Sequence, residues 1–240
     1  MNTSGAEKAI IELKDIKKVY RSKGISYEAI KGISVKIMAN EFTAIVGPSG
    51  SGKTTLLDMM GTLDSPTNGK VIIDGVDVSK LSDADVSKLR NEKIGFIFQS
   101  YNLVPYLSAL QNVMLPLMVD NRHTPEKEEY AKQMLEEIGI PYYGKKPTEL
   151  SGGEQQRVAI VRALVNKPDI ILADEPTGNL DTKTTKNTIN MMLRVSKEHK
   201  TTIVMVTHDP ELAGFFERRI HIKDGLIEKE ERGGKKWIRD

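Results

Sequence analysis

The sequence has no cysteine, which excludes disulfides, thiolate metal sites and cysteine nucleophiles together. Its four histidines, His123, His199, His208 and His221, show no zinc-ligand spacing. No apolar run reaches the roughly 18 residues of a transmembrane helix. The amino-terminal MNTSGAEKAIIELKD also lacks the long apolar core of a signal peptide. Neither sign of charge dominates: 35 Lys and Arg stand against 33 Asp and Glu, a net +2, which leaves no electrostatic footprint for nucleic acid. What remains is 39 % apolar and 28 % charged residues in a chain of 240, long enough for one large domain or two small ones. A globular protein of the cytoplasm is expected.

Two kinds of strand pattern follow one another. AIIELKDIKKVY (9–20), AIKGISVKIM (29–38) and GKVIIDGVDV (69–78) alternate apolar and polar residues. FTAIVG (42–47), IGFIFQ (94–99), DIILAD (169–174) and TTIVMVTH (201–208) are short, dense apolar runs that suit central strands covered on both faces. Helical spacing at 53–62, 182–199 and 209–218 lies between them, which predicts an α/β fold with a parallel sheet. From about 100 to 167 only helical spacing is found, so a helical insert is expected there, with Thr124 and Pro125 opening one helix and Gly139 closing it. The tail EKEERGGKKWIRD, charged and broken by glycine, reads as a frayed, solvated end.

GPSGSGKTT at 47–55 matches G-x-x-x-x-G-K-[ST] at every fixed position, after an apolar strand and at the start of a helix. Gly47, Pro48, Ser49, Gly50, Ser51 and Gly52 form the loop, whose backbone N–H groups curl toward one anion. Lys53 reaches the β and γ phosphates, and the Thr54 hydroxyl is a Mg²⁺ ligand. A chance match in a chain of this length is on the order of 1 %. Asp174 ends an apolar run, as a Mg²⁺-holding carboxylate of the second Walker motif does. Glu175 follows, and side chains alternate along a strand, so one carboxylate serves the metal while the other orients an attacking water. Gln99 and His208 each end an apolar run, at the edge where open α/β sheets hold ligands. His208 also fits a helix cap ahead of Asp209 and Pro210, and Tyr20 fits either adenine stacking or plain packing.

A second glycine turn, ELSGGEQQRV (149–158), has no lysine. Ser151 and Glu154 make a capping box. That leaves Gly152 and Gly153 unexplained, since each costs up to about 1 kcal/mol in a helix interior. Bare backbone at a helix start suits an approaching anion, and Ser151 has a hydroxyl donor to spare. One phosphate in one P-loop hardly needs two seats. Two copies about a two-fold axis would each cover the nucleotide of the other.

GPSGSGKTT, Gln99, LSGGEQQR, ILADEPTGNLD and VTHD stand in the order and spacing of ATP-binding cassette (ABC) ATPases, and the resemblance spans about residues 9 to 226. It implies a P-loop NTPase (RecA-like) core with an amino-terminal antiparallel β subdomain at about 9–99 and 168–226. A helical subdomain at about 100–167 and a charged tail at 227–240 complete a single domain of residues 1–240. ATP and Mg²⁺ are the implied cofactors, with Gly47 to Thr55 on the phosphates and Tyr20 on adenine. Thr54, Asp174 and Gln99 hold the metal, Glu175, His208 and Gln99 act in catalysis, and Asp181 lines the dimer seam. Ser151, Gly152, Gly153 and Glu154 look like the signature acting in trans. Glu154 departs from the glutamine often written there. FQSYNLVPYLSALQNVMLPL and ADEPTGNLD resemble more narrowly the subunits of lipoprotein-release and macrolide-export type. The implied partners are a second copy and a separate transmembrane permease, at the cytoplasmic face of the cell membrane, with no nucleic acid. A regulatory ABC ATPase whose membrane partner transmits force without transport is the alternative. DNA-repair and translation members fit less well, because each motif occurs once and no long coiled coil separates Lys53 from Ser151.

Overall fold

The computed structural model describes residues 8–22, 24–119, 123–178 and 180–234. The chain divides into two compact units, Met1–Ser87 with Thr202–Asp240, and Lys88–Thr201.

In the first unit β1 (Ala9–Ser22) and β2 (Ile25–Met38) form a long antiparallel hairpin. After β3 (Phe42–Val46) and α1 (Lys53–Met60), β4 (Asn68–Ile73) pairs with the free side of β1 and β5 (Val76–Asp77) with β4. Ile11 and Leu13 are buried at alternating positions of β1, and Ile16 is buried beyond a break in register at Asp15 (φ 47°). The dense runs behave differently. Every residue of β3 is buried, as is every residue of β8 (Thr202–Thr207), and the two pair in parallel. A strand hidden on both faces has no polar face to alternate.

The other edge of β3 takes β9 (Arg218–Lys223) in parallel, and β10 (Leu226–Arg232) pairs antiparallel with β9. Two expectations fail here. The helix predicted over 209–218 is α7, only Pro210–Ala213, and Gly214 caps it before the chain enters β9. Residues 228–232 are strand rather than frayed end, because their charges are cross-strand partners: Glu230 meets Arg218 at 2.7 Å and Glu231 meets Arg219 at 3.2 Å. Residues 235–240 of the predicted tail lie outside the described residues.

Helix α2 (Asp83–Lys93) leads into the second unit. It buries none of its side chains, so no apolar stripe marked it in the sequence. Strand β6 (Ile94–Ile97) pairs in parallel with β7 (Ile170–Asp174). Between them run α3 (Ala109–Met118), α4 (Pro125–Glu137) and α5 (Gly152–Leu164), and among the described residues of that stretch there is no strand, as the spacing predicts. Thr124 caps α4, Pro125 opens it and Gly139 (φ 77°) ends it. These helices share one core that includes Val113, Leu117, Leu135, Leu150, Val158 and Val161. Helix α6 (Thr182–His199) follows β7.

Asn112 of α3 is fully buried and organises the loop before it. Its amide nitrogen donates to the carbonyls of Val104, Leu107 and Ser108 at 3.0–3.1 Å, and its oxygen accepts the Val104 N–H at 2.7 Å. Replacing it by alanine removes these four bonds from half-buried backbone groups. Asn112→Ala is therefore expected to lower unfolding free energy by about 3 kcal/mol in urea titrations.

Candidate nucleotide site

Strand β3 stops at Val46 and α1 starts at Lys53, so Gly47–Gly52 link a buried strand to a helix start. Gly50 (φ 76°) and Gly52 (φ 102°) are left-handed, which only glycine adopts freely. Close approach constrains the loop further. A Cβ on Gly47 would stand 2.1 Å from the Ile222 carbonyl oxygen, and one on Gly52 would stand 2.7 Å from that of Ala29. Gly52 caps α1 with no side-chain bond, and the first turn carries no acidic residue. The leading N–H groups are thus left to an anion, with the helix dipole behind them.

Lys53 is only 6 % exposed, and its ammonium donates to the Pro48 carbonyl at 2.9 Å. The Ser51 hydroxyl is buried without a hydrogen-bond partner, a donor and acceptor aimed into the loop. Pro48, Ser49, Gly50 and Thr54 are exposed and Thr55 is half-buried. A phosphate fits this lining. Tyr20, at the end of β1, is 42 % exposed and donates its hydroxyl to Asp64 at 2.9 Å, with the Lys18 ammonium 4.9 Å from its ring. Burial, then that carboxylate, raises the pKa of the phenol.

The second glycine turn opens α5 as a complete capping box. The Ser151 hydroxyl accepts the Glu154 N–H at 3.3 Å, and Glu154 accepts the Ser151 N–H at 2.7 Å. The other Glu154 oxygen accepts the Tyr142 hydroxyl. Tyr142 first, then Ser151, hold the Glu154 carboxyl down at about 2. Its charge is thereby turned back to the cap. The glycines also have a packing cause inside the chain. A Cβ on Gly152 would meet the Tyr101 hydroxyl at 3.0 Å, and one on Gly153 the Thr184 methyl at 2.9 Å.

Asp174 closes β7 half-buried, and Glu175 takes φ 43°, so the alternation of the strand ends between the two carboxylates. The Glu175 carbonyl accepts the Gly178 N–H at 3.1 Å. Gln99 lies in a turn beyond the end of β6, with its amide nitrogen 2.8 Å from where a Gly178 Cβ would stand, so the bare Gly178 admits it beside the turn after Glu175. Asp181 accepts the Thr184 N–H at 3.0 Å and the Thr184 hydroxyl at 2.5 Å, which caps α6. Asn179 of GNLD lies outside the described residues. His208 is exposed just past β8, and the cap of α7 is Asp209, which removes the capping explanation for the histidine.

Residues 30–178, more than half of the chain, match the ABC transporter family. The chain belongs to that family. It is 46 % identical over 228 residues to an uncharacterized ABC transporter ATP-binding protein, MJ0796, of Methanocaldococcus jannaschii, covering 93 % of this chain and 97 % of the relative. The lipoprotein-releasing system ATP-binding protein LolD of Aquifex aeolicus is 47 % identical over 219 residues, 91 % of this chain and 96 % of that protein. The macrolide export ATP-binding/permease protein MacB of Syntrophobacter fumaroxidans is 45 % identical over 224 residues, 92 % of this chain but 31 % of that longer protein. A dimeric structure of the MJ0796 cassette in a post-hydrolysis state, bound to ADP and Pi, superposes with a TM-score of 0.85 at 43 % identity and covers 92 % of this chain and 98 % of that one. The fold is therefore that of an ABC cassette, a P-loop NTPase with an amino-terminal antiparallel β subdomain.

Around the P-loop of this ABC cassette two residues escaped sequence reasoning. Tyr27, paired across the hairpin with Tyr20, donates its hydroxyl to the Gly50 carbonyl at 3.1 Å. Gly225 donates its N–H to the Ser51 carbonyl at 3.1 Å while its own carbonyl accepts the Lys31 N–H at 2.9 Å. The Asp224-Gly225 dipeptide between alternating runs was the available signal for that turn.

The Glu154 cap predicts a pH effect. Its folded pKa lies below the usual 4.5, so it stabilises above pH 4.5 and loses that contribution as the pH falls toward about 2. Urea midpoints measured across this window should fall more steeply for the parent than for Glu154→Gln.

Proposed function

We propose that this chain is the ATP-binding and ATP-hydrolysing subunit of an ABC transporter, that it dimerises on ATP, and that it powers a separate transmembrane permease. The P-loop lining carries the reading. A left-handed glycine caps the helix start with no side-chain bond, Lys53 is buried, and the Ser51 hydroxyl has no partner. Gly47–Thr55 bind the phosphates through backbone N–H groups and Lys53, and the exposed ring of Tyr20 stacks on the base.

Mg²⁺ fits the donor set by chemistry: a threonine hydroxyl, a carboxylate and an amide oxygen beside phosphate oxygens, rather than an all-protein cage. Thr54, Asp174 and Gln99 supply those donors, and the ion when bound neutralises charge on the transferring phosphoryl group. Glu175, turned off the strand by its left-handed backbone, orients the attacking water. His208, exposed just past β8, donates to the γ-phosphate. Ser151 retains a hydroxyl proton after capping, and it grips the γ-phosphate of the second copy together with Gly153. Asp181 lines the seam between copies.

The solved relative supports the two-fold engine, being dimeric and bound to ADP and Pi. Among the described residues no helix is long and apolar enough to cross a membrane. MacB joins ATP-binding and permease in one name, and this chain matches only 31 % of it. The working position is then the cytoplasmic face of the membrane, against the permease.

Glu175→Gln should trap an ATP-dependent dimer in size-exclusion chromatography and depress hydrolysis by about a hundredfold or more. ADP should leave it monomeric, and a further Gly153→Asp change should abolish the dimer. An ATP-bound protein that stays monomeric would return the second glycine turn to a helix cap alone.

A further inference from the structure

Just past Gln99 two consecutive residues, Tyr101 (φ 60°) and Asn102 (φ 50°), are left-handed. A tyrosine holds that conformation only where its neighbours impose it. Arg162 of α5 is the neighbour. One guanidinium nitrogen donates to the Tyr101 carbonyl at 2.7 Å, and the other donates to the Asn102 carbonyl at 2.5 Å. Two donors of a rigid fork on two successive carbonyls fix the direction of both peptides, which a lysine ammonium does not reproduce. Burial lowers the pKa of Arg162.

The side chain of Tyr101 reaches the other end of the same helix. Its hydroxyl lies 3.0 Å from the position of a Gly152 Cβ, at the first residue of α5. Tyr101 is thus held to α5 by its carbonyl at Arg162, and its hydroxyl lies close against the bare Gly152. Asn112 fixes the next part of the loop through Val104, Leu107 and Ser108. The loop after Gln99 is therefore a braced extension of the helices.

We propose that Arg162 and Tyr101 are positioning residues that lock the Gln99 loop to the signature helix, so that the loop aims Ser151 and Gly153 at the nucleotide of the other copy. This rests on the ATP-dimer reading above. Two hydrogen bonds and one close approach connect the loop to the helix that carries the glycine turn. Nucleotide binding at the P-loop does not involve the brace.

The test uses the full chain carrying Glu175→Gln. Arg162→Lys keeps the charge and loses the fork. Tyr101→Gly relieves the left-handed backbone while removing the ring, and Arg162→Lys is the milder change should that variant fail to fold. The readouts are the ATP concentration for half-maximal dimer by size exclusion, ADP affinity and the thermal midpoint. Both variants should need about tenfold more ATP to dimerise. ADP affinity should stay within about twofold of the parent, and Tyr101→Gly should do this without a lower thermal midpoint. Dimerisation at the ATP concentration of the parent overturns the proposal and leaves Arg162 and Tyr101 as packing residues, whatever the thermal midpoints. Failure of the Glu175→Gln parent itself to dimerise is a different pattern, which removes the ATP-dimer reading and this inference together.

Discussion

Backbone N–H groups serve an anion only where no side chain stands between them, and the P-loop meets that demand by lying against its neighbours. Gly47 sits so close to β9, and Gly52 to β2, that neither position has room for one methyl group. The rest of the unit supports that placement. β3 is buried along its whole length and held on both edges by parallel partners, so the loop leaves it from a fixed point. The β9–β10 turn then holds the Ser51 carbonyl through Gly225, which sets the direction of the loop from outside. Rigidity here is preorganisation: the donors are already aimed when charge arrives.

The turn at α5 also opens its helix with bare glycines, under another electrostatic balance. There is no lysine, and a carboxylate stands in the first turn, which would repel an anion if it faced outward. Instead Glu154 is turned onto the Ser151 N–H and the Tyr142 hydroxyl, and its affinity for protons falls with those bonds. The turn keeps a bare backbone while the helix keeps its cap. The glycines serve packing too, since Tyr101 and Thr184 lie where their side chains would stand. Thr184 is in turn held by Asp181, so the α6 cap and the glycine turn share one small side chain. Contacts of this kind make neighbouring motifs mechanically dependent on each other, which suits a protein whose proposed work is to pass force to a partner.

The sequence by itself determined the parts in which chemistry and order along the chain coincide. G-x-x-x-x-G-K-T after a buried strand, Ser151 and Glu154 at capping spacing, and Thr124-Pro125 before a helix are local patterns whose hydrogen bonds close within a few residues, so reading them in order was enough. Dense runs such as TTIVMVTH announced strands covered on both faces because solvent never selects one face of them. Tertiary structure alone decided what depends on residues far apart. Helix α2 buries nothing and left no stripe to read. β10 looked like a solvated tail because its glutamates are paired only once Arg218 and Arg219 are brought opposite them. The hydroxyl of Tyr27 on Gly50 and the guanidinium of Arg162 on two carbonyls across 60 positions are bonds of the folded chain only. Local pattern carries backbone geometry and capping, whereas the aim of a site is set by contacts whose partners the linear order does not name.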